Sequence, residues 1–223
     1  YGPGNMCNYW NTNGFRFGAS HGGRGAPNYY GQNPGPCYGS VTNPVTLGSG
    51  SGQRSGNPVP GAPGGGAVIL TVGGKLILEG DITANGLEGP PLSVNSFGDG
   101  GAAGGSINIQ ADAIEGSGLI QANGGPSTPA MSQSGGGGGR VAVALHSGID
   151  FDAVTIRAAI TWGSGNIGAA GTVYLKAADQ AFGTLIVDND GNNAFDSYGG
   201  ARTDISSTVT RSTDRLEGQR SMV

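Results

Sequence analysis

The sequence predicts an all-β fold, a β-solenoid of the parallel β-helix kind with about four glycine-separated repeats. Three observations predict it. Short runs rich in Val, Ile, Leu and Thr alternate apolar and polar residues, as at Ile107 and Ile109 or at Val141, Val143 and Leu145. These runs recur after glycine clusters, with starts at Ala67, Ser106, Arg140 and Thr172 that lie 39, 34 and 32 residues apart. A 3.6-residue period is missing everywhere except between Tyr174 and Phe182, where alanines leave room for a helical turn or two.

Composition supports the same class. Glycine fills 47 of 223 positions, about three times its usual share, and Asp, Glu, Lys and Arg reach only 12%, about half of theirs. Both departures disfavour an ordinary helical or α/β enzyme. The glycines come in clusters, at 64–66 and 135–139, without the three-residue phase of collagen. Of the 43 Leu, Ile, Val and Phe residues, 32 fall between Ala67 and Val187 in grouped runs, so a core can form there and a disordered chain is not expected. A net charge of −4 with two lysines gives no field to collect phosphates, so nucleic acid is not an expected partner. No apolar run reaches the roughly 20 residues of a membrane span. Tyr1 does not open a signal peptide, and the numbering is expected to describe a processed chain or a piece of a longer one.

Three parts follow in order. Residues 1–63 hold five of the seven tyrosines, many Gly and Pro, and almost no alternation; they read as a loop-rich cap. Cys7 and Cys37 enclose part of this cap, and a disulfide between them would supply a constraint that the loop's apolar content does not, in an oxidising compartment. Residues 64–195 form the repeat domain. Its first two units both close on Ala-Asn-Gly, at Asn85-Gly86 and Asn123-Gly124. Residues 196–223 are a Ser/Thr/Arg-rich arm, β-prone around Asp204, Ile205, Thr208, Val209 and Thr210, that could pair with the open end of a neighbouring molecule.

A unit of two or three short strands cannot bury its apolar face alone, so several units must stack. An antiparallel sandwich is the alternative, with the two Asn-Gly pairs as hairpin turns; the solenoid is preferred because long polar loops, not returning strands, follow those pairs. The glycine runs allow a further arrangement, extended segments packed side by side in polyproline-II form; flexible loops are the competing reading.

The succession Gly18-Ala-Ser-His-Gly-Gly-Arg-Gly25, Tyr38-Gly-Ser40, Ala67-Val-Ile-Leu70 after three glycines, two units ending in Ala-Asn-Gly, Arg140-Val-Ala-Val143 after a glycine run, and Gly171-Thr-Val-Tyr-Leu175 resembles the glycine-rich repeats of large bacterial surface and adhesin-like proteins. The glycine clusters resemble polyglycine phage tail-fibre adhesins more weakly. The resemblance covers about Gly18 to Asp190; it implies a β-helical fold and an extracellular or cell-surface location, and carries no catalytic residues.

Candidate sites are sparse. His21 and Arg24 sit where anion binding or chemistry would be possible, but are expected to hydrogen-bond loop carbonyls and fix the cap. Asp188, Asp190 and Asn192 are oxygen donors that could hold calcium; the competing reading is a plain Asx turn. Tyr9, Trp10, Tyr29, Tyr30 and Tyr38 could stack on surface glycans or on a neighbouring subunit, or pack under the cap. Asp150 and Asp152, flanking Phe151 on an expected strand, are the best carboxylate pair for a polysaccharide-cleaving enzyme, against two solvent-facing turn residues. The expected function is a non-catalytic structural subunit of an extracellular fibre, surface layer or adhesin stalk that assembles as a homo-oligomer or filament. The alternatives are a carbohydrate-binding adhesin tip and a polysaccharide-cleaving enzyme.

Overall fold

A computed structural model describes residues 17–27, 34–52, 61–89, 100–127, 133–161, 165–191 and 203. The described part is all strand and irregular backbone. It contains no helix long and apolar enough to cross a membrane, and the alanines after Tyr174 form a turn instead of a helix.

Ten strands occur in chain order: β1 (Ala67–Ile77), β2 (Asp81–Thr83), β3 (Ser106–Glu115), β4 (Leu119–Gln121), β5 (Gln133–Ser134), β6 (Arg140–Leu145), β7 (Thr155–Arg157), β8 (Gly165–Asn166), β9 (Thr172–Lys176) and β10 (Thr184–Ile186). The first sheet has the order β1-β3-β6-β9-β10, the second β2-β4-β7, and β5 pairs with β8. The chain makes a pass through the first sheet and then the second, and does so three times running.

Pairing is parallel throughout except between β9 and β10. The four expected unit starts fall in one register, Ala67 beside Ser106, Ser106 beside Arg140, and Arg140 beside Thr172. Alternation then stacks like on like. One inward column is Val68, Ile107, Val141 and Val173, and the next is Leu70, Ile109, Val143 and Leu175. Ile107, Ile109, Val141 and Val143 have no exposed surface, and the second sheet adds the buried Ile120 to the same core.

The sandwich alternative is not what the Asn-Gly pairs serve. The Asn-Gly pairs are not hairpin turns, because the strands preceding them pair in parallel. Their asparagines bridge passes instead: Asn123 N–H donates to Asn85 Oδ1 at 2.7 Å, and Ala159 N–H donates to Asn123 Oδ1 at 2.9 Å. In the fourth unit β10 folds back antiparallel on β9, with Leu185 opposite Tyr174.

The glycine runs are packed. In the segment 100–105, Gly101 and Gly104 N–H groups donate to Ser134 and Gly137, Ala102 and Gly105 to Leu87 and Ala84, and Ala103 to Ser49. In 135–139, Gly135 and Gly138 donate to Asn166 and Ala169, Gly136 and Gly139 to Gly125 and Ala122, and Gly137 to Ala19. Donors to one neighbour recur every third residue, the period of a polyproline-II helix, so each run bonds several neighbours around it. Backbone groups that would be costly to bury unpaired are satisfied by other glycine-rich runs.

Candidate functional site

Two features carry chemistry or contact: a buried polar hub behind the first sheet, and an open sheet edge at β1. The hub is built on the column Ala67, Ser106, Arg140, Thr172, whose side chains leave the face opposite the main core. Arg140 is only 2% exposed. Its Nε donates to the Tyr38 carbonyl at 2.8 Å and its Nη1 to Thr172 Oγ1 at 3.0 Å, and burial lowers its pKa. Ser106 Oγ donates to the Thr46 carbonyl at 2.6 Å.

His21 is fully buried beside Arg140. Its Nδ1 lies 2.7 Å from the Gly104 carbonyl, which can only accept, so Nδ1 carries the proton and Nε2 accepts from Thr46 Oγ1 at 2.9 Å. Desolvation, with Arg140 adding charge repulsion, pushes the histidine's pKa down to about 4, so the ring is neutral near pH 7. The Tyr38 ring lies 4.6 Å from the His21 ring, and its hydroxyl donates to the Leu47 carbonyl at 2.6 Å and meets Ser49 Oγ at 2.8 Å. Burial pushes the phenol's pKa up. Alongside, Val41 packs on Ala142, Tyr174 and Leu185 as a small second core. The hub fastens residues 37–49 across the first sheet, which is structural work.

His21 therefore bonds a carbonyl as expected, whereas Arg24 Nε is buried without a hydrogen-bond partner. Of the aromatic set, Tyr38 is engaged inside the hub; Tyr9, Trp10, Tyr29 and Tyr30 lie outside the described residues. Cys37 precedes Tyr38, and its expected partner Cys7 also lies outside them.

Asp188 Oδ1 accepts the Asp190 N–H at 2.9 Å, an Asx-type turn, and the Asp190 carboxylate lies 3.3 Å from Arg157 Nη1. Asn192 is outside the described residues, and within them no cluster of three metal-ligating side chains forms. These groups edge a groove of roughly 230 Å³ floored by Ile156, Val173 and Ile186. Asp150 and Asp152 do not share a strand: Asp152 sits in a turn at φ +51°, where Asp152 Oδ2 accepts the Gly116 N–H at 2.9 Å. His146 is an exposed turn residue 3.9 Å from Asp112. Asp204, Ile205, Thr208, Val209 and Thr210 lie outside the described residues; Thr203, just before them, bridges Gly23 and donates its hydroxyl to the Ala170 carbonyl at 2.6 Å.

The open edge is the feature that alternation alone did not mark. β1 is the longest strand, at 11 residues, and ends its sheet; no described strand pairs with its other side. Its inward Val68, Leu70, Val72 and Leu76 are only half-buried, unlike Ile107, Ile109, Ala111 and Ile114 beside them on β3, while Ile69 and Ile77 are 62% and 65% exposed. Nearby, Leu47 is also exposed; at the opposite end of the stack Ile186 and Val187 are.

Comparison with protein-family models, curated proteins and solved structures finds no match for this chain.

Proposed function

We propose that the chain is a β-solenoid serving as a non-catalytic structural subunit of an extracellular fibre, surface layer or adhesin stalk, associating with further copies through the ends of its stack. The observation that carries this reading is the 11-residue edge of β1, which no described strand pairs, above a half-covered core. A long apolar edge left open is a template for another strand, and proteins that stay monomeric blunt such edges with bulges, charge or cover. β1 has one lysine, Lys75, already paired with Glu115 at 2.6 Å, and one bulge between Val72 and Lys75. The hub and the interlocked glycine runs tie the passes to one another, as a structural subunit requires. The surface location rests on the low charge, the glycine-rich composition and the resemblance of the repeats.

Sedimentation velocity across a concentration series, at near-physiological salt and without reductant, tests the reading. The expected result is a boundary that moves faster and broadens as concentration rises; a sharp monomer boundary at every concentration would overturn it.

A further inference from the structure

We infer that the β1 edge is covered by the β1 edge of a second copy, the two strands running antiparallel across a two-fold axis, so that copies meet first pass to first pass. This inference rests on the self-association proposed above and names the surface and its partner.

Backbone direction makes the edge complementary to itself. Ser106 N–H donates to the Gly66 carbonyl at 3.0 Å, so Gly66, Val68, Leu70 and Val72 aim their peptide groups at β3. The peptide groups of Ala67, Ile69 and Thr71 therefore point the other way, where no described strand meets them. The regular stretch ends at the bulge after Val72, which places the axis near its middle, at Ile69 or Leu70. Either position sets outward peptide groups opposite outward ones, Ile69 opposite Ile69 or Thr71. It also sets inward side chains opposite inward ones, Val68 opposite Leu70 or Val72. The half-buried Val68, Leu70 and Val72 of each copy thereby gain the second neighbouring strand that Ile107 and Ile109 already have. Residues 67–72 carry no charge, so the stretch can face itself without setting like charges opposite each other. Lys75 lies past the bulge and is paired with Glu115.

The shapes of the two ends decide between the first pass of a second copy and its fourth. Among the described residues both sheets begin with the first pass, at β1 and β2, so this end is level. The other end is stepped. There β9 and β10 carry the first sheet two strands beyond β7, the last strand of the second, and the groove floored by Ile156, Val173 and Ile186 opens at the step. A copy stacked by its stepped end would bring the three residues of β10 against β1 and leave the gap in its second sheet facing β2. A copy turned about the two-fold axis brings an equally level face and the whole regular stretch of its own β1. Such a contact uses the same patch on both partners, so the level ends are consumed in pairs. Growth beyond a pair then passes through the stepped ends, and copies along a filament alternate in direction.

Charge complementation in the full chain tests this. Ile69 is 62% exposed, so Ile69→Lys and Ile69→Glu should each fold, which circular dichroism checks. Across the axis each variant sets two like charges opposite or diagonal to one another. By light scattering, each alone should fall below the mean mass of the wild-type chain at the same concentration. An equimolar mixture should regain the wild-type mass, because lysine then faces glutamate. In a head-to-tail contact position 69 never meets position 69, and mixing would change nothing. Ile69→Arg and Ile69→Asp replace the pair if either chain does not fold. The inference is overturned if the folded variants keep the wild-type mass, or if their mixture stays at the mass of the separate chains. Either result leaves the structural reading standing, since the wild type still assembles. A wild-type chain that is monomeric at every concentration would remove both.

Discussion

At the scale of single residues, the most informative side chains are the two buried bases. His21 titrates at about 4 in the folded chain and near 6.5 when unfolded, so between these values the unfolded state binds more protons and stability falls as pH drops. From pH 7 to pH 4.5 this one group should remove about 2 to 3 kcal/mol. The check is urea unfolding at both pH values for wild type and His21→Gln, which cannot titrate: the variant should lose that much less. An equal loss in both chains would mean that His21 is not buried neutral.

Arg140 makes a second prediction, because its guanidinium satisfies the Tyr38 carbonyl and Thr172 Oγ1 in a site closed to water. Arg140→Met fills part of the volume but orphans both oxygens, and should cost about 2 to 4 kcal/mol in chemical denaturation. In the sequence Arg140 reads as the first residue of a strand. The repeat starts align it with Ser106 and Thr172, but nothing local shows that this column faces buried partners, the Tyr38 carbonyl and Thr172 Oγ1.

Among the elements, the glycine runs are the sharpest test. A methyl group on Gly138 would overlap the Ala158 carbonyl, which is backbone and cannot move aside, whereas one on Gly73 meets nothing. Gly138→Ala should therefore cost more than about 3 kcal/mol or prevent folding, and Gly73→Ala should stay within about 1 kcal/mol of wild type; thermal unfolding of the pair reads the difference. If 135–139 were a flexible loop, both substitutions would be mild.

Much of the strand layer is legible in the chain because alternation is local: Ile107 and Ile109, or Val141 and Val143, declare their inward face without knowledge of a partner. What was not legible depends on partners far away. Thr184-Leu-Ile186 has the same composition as the parallel strands, yet pairs antiparallel on β9. Asn85 and Asn123 carry the usual signature of a hairpin, but their side chains are spent on bonds between passes. Asp150 and Asp152 alternate around Phe151, and only the positive φ at Asp152 shows the turn that separates them.

For the whole molecule, the two ends of the stack are unequal. The fourth pass carries β10 on its edge, and in the first no described strand covers β1, above side chains that are buried in every internal pass. The glycine lattice and the hub tie the passes together in register, and β1 presents a long edge interrupted by one bulge between Val72 and Lys75. A candidate site of this kind leaves little trace in sequence, because Val68, Leu70 and Val72 look the same whether or not a strand covers them.

Electron microscopy of the native protein, without reductant, tests the central claim of end-to-end assembly most directly. The account predicts filaments about one molecule wide, with an averaged power spectrum carrying a reflection near 4.8 Å along the filament axis, since the strands of successive passes stack in that direction. Dispersed single particles, or filaments whose 4.8 Å reflection lies across the axis, would contradict it.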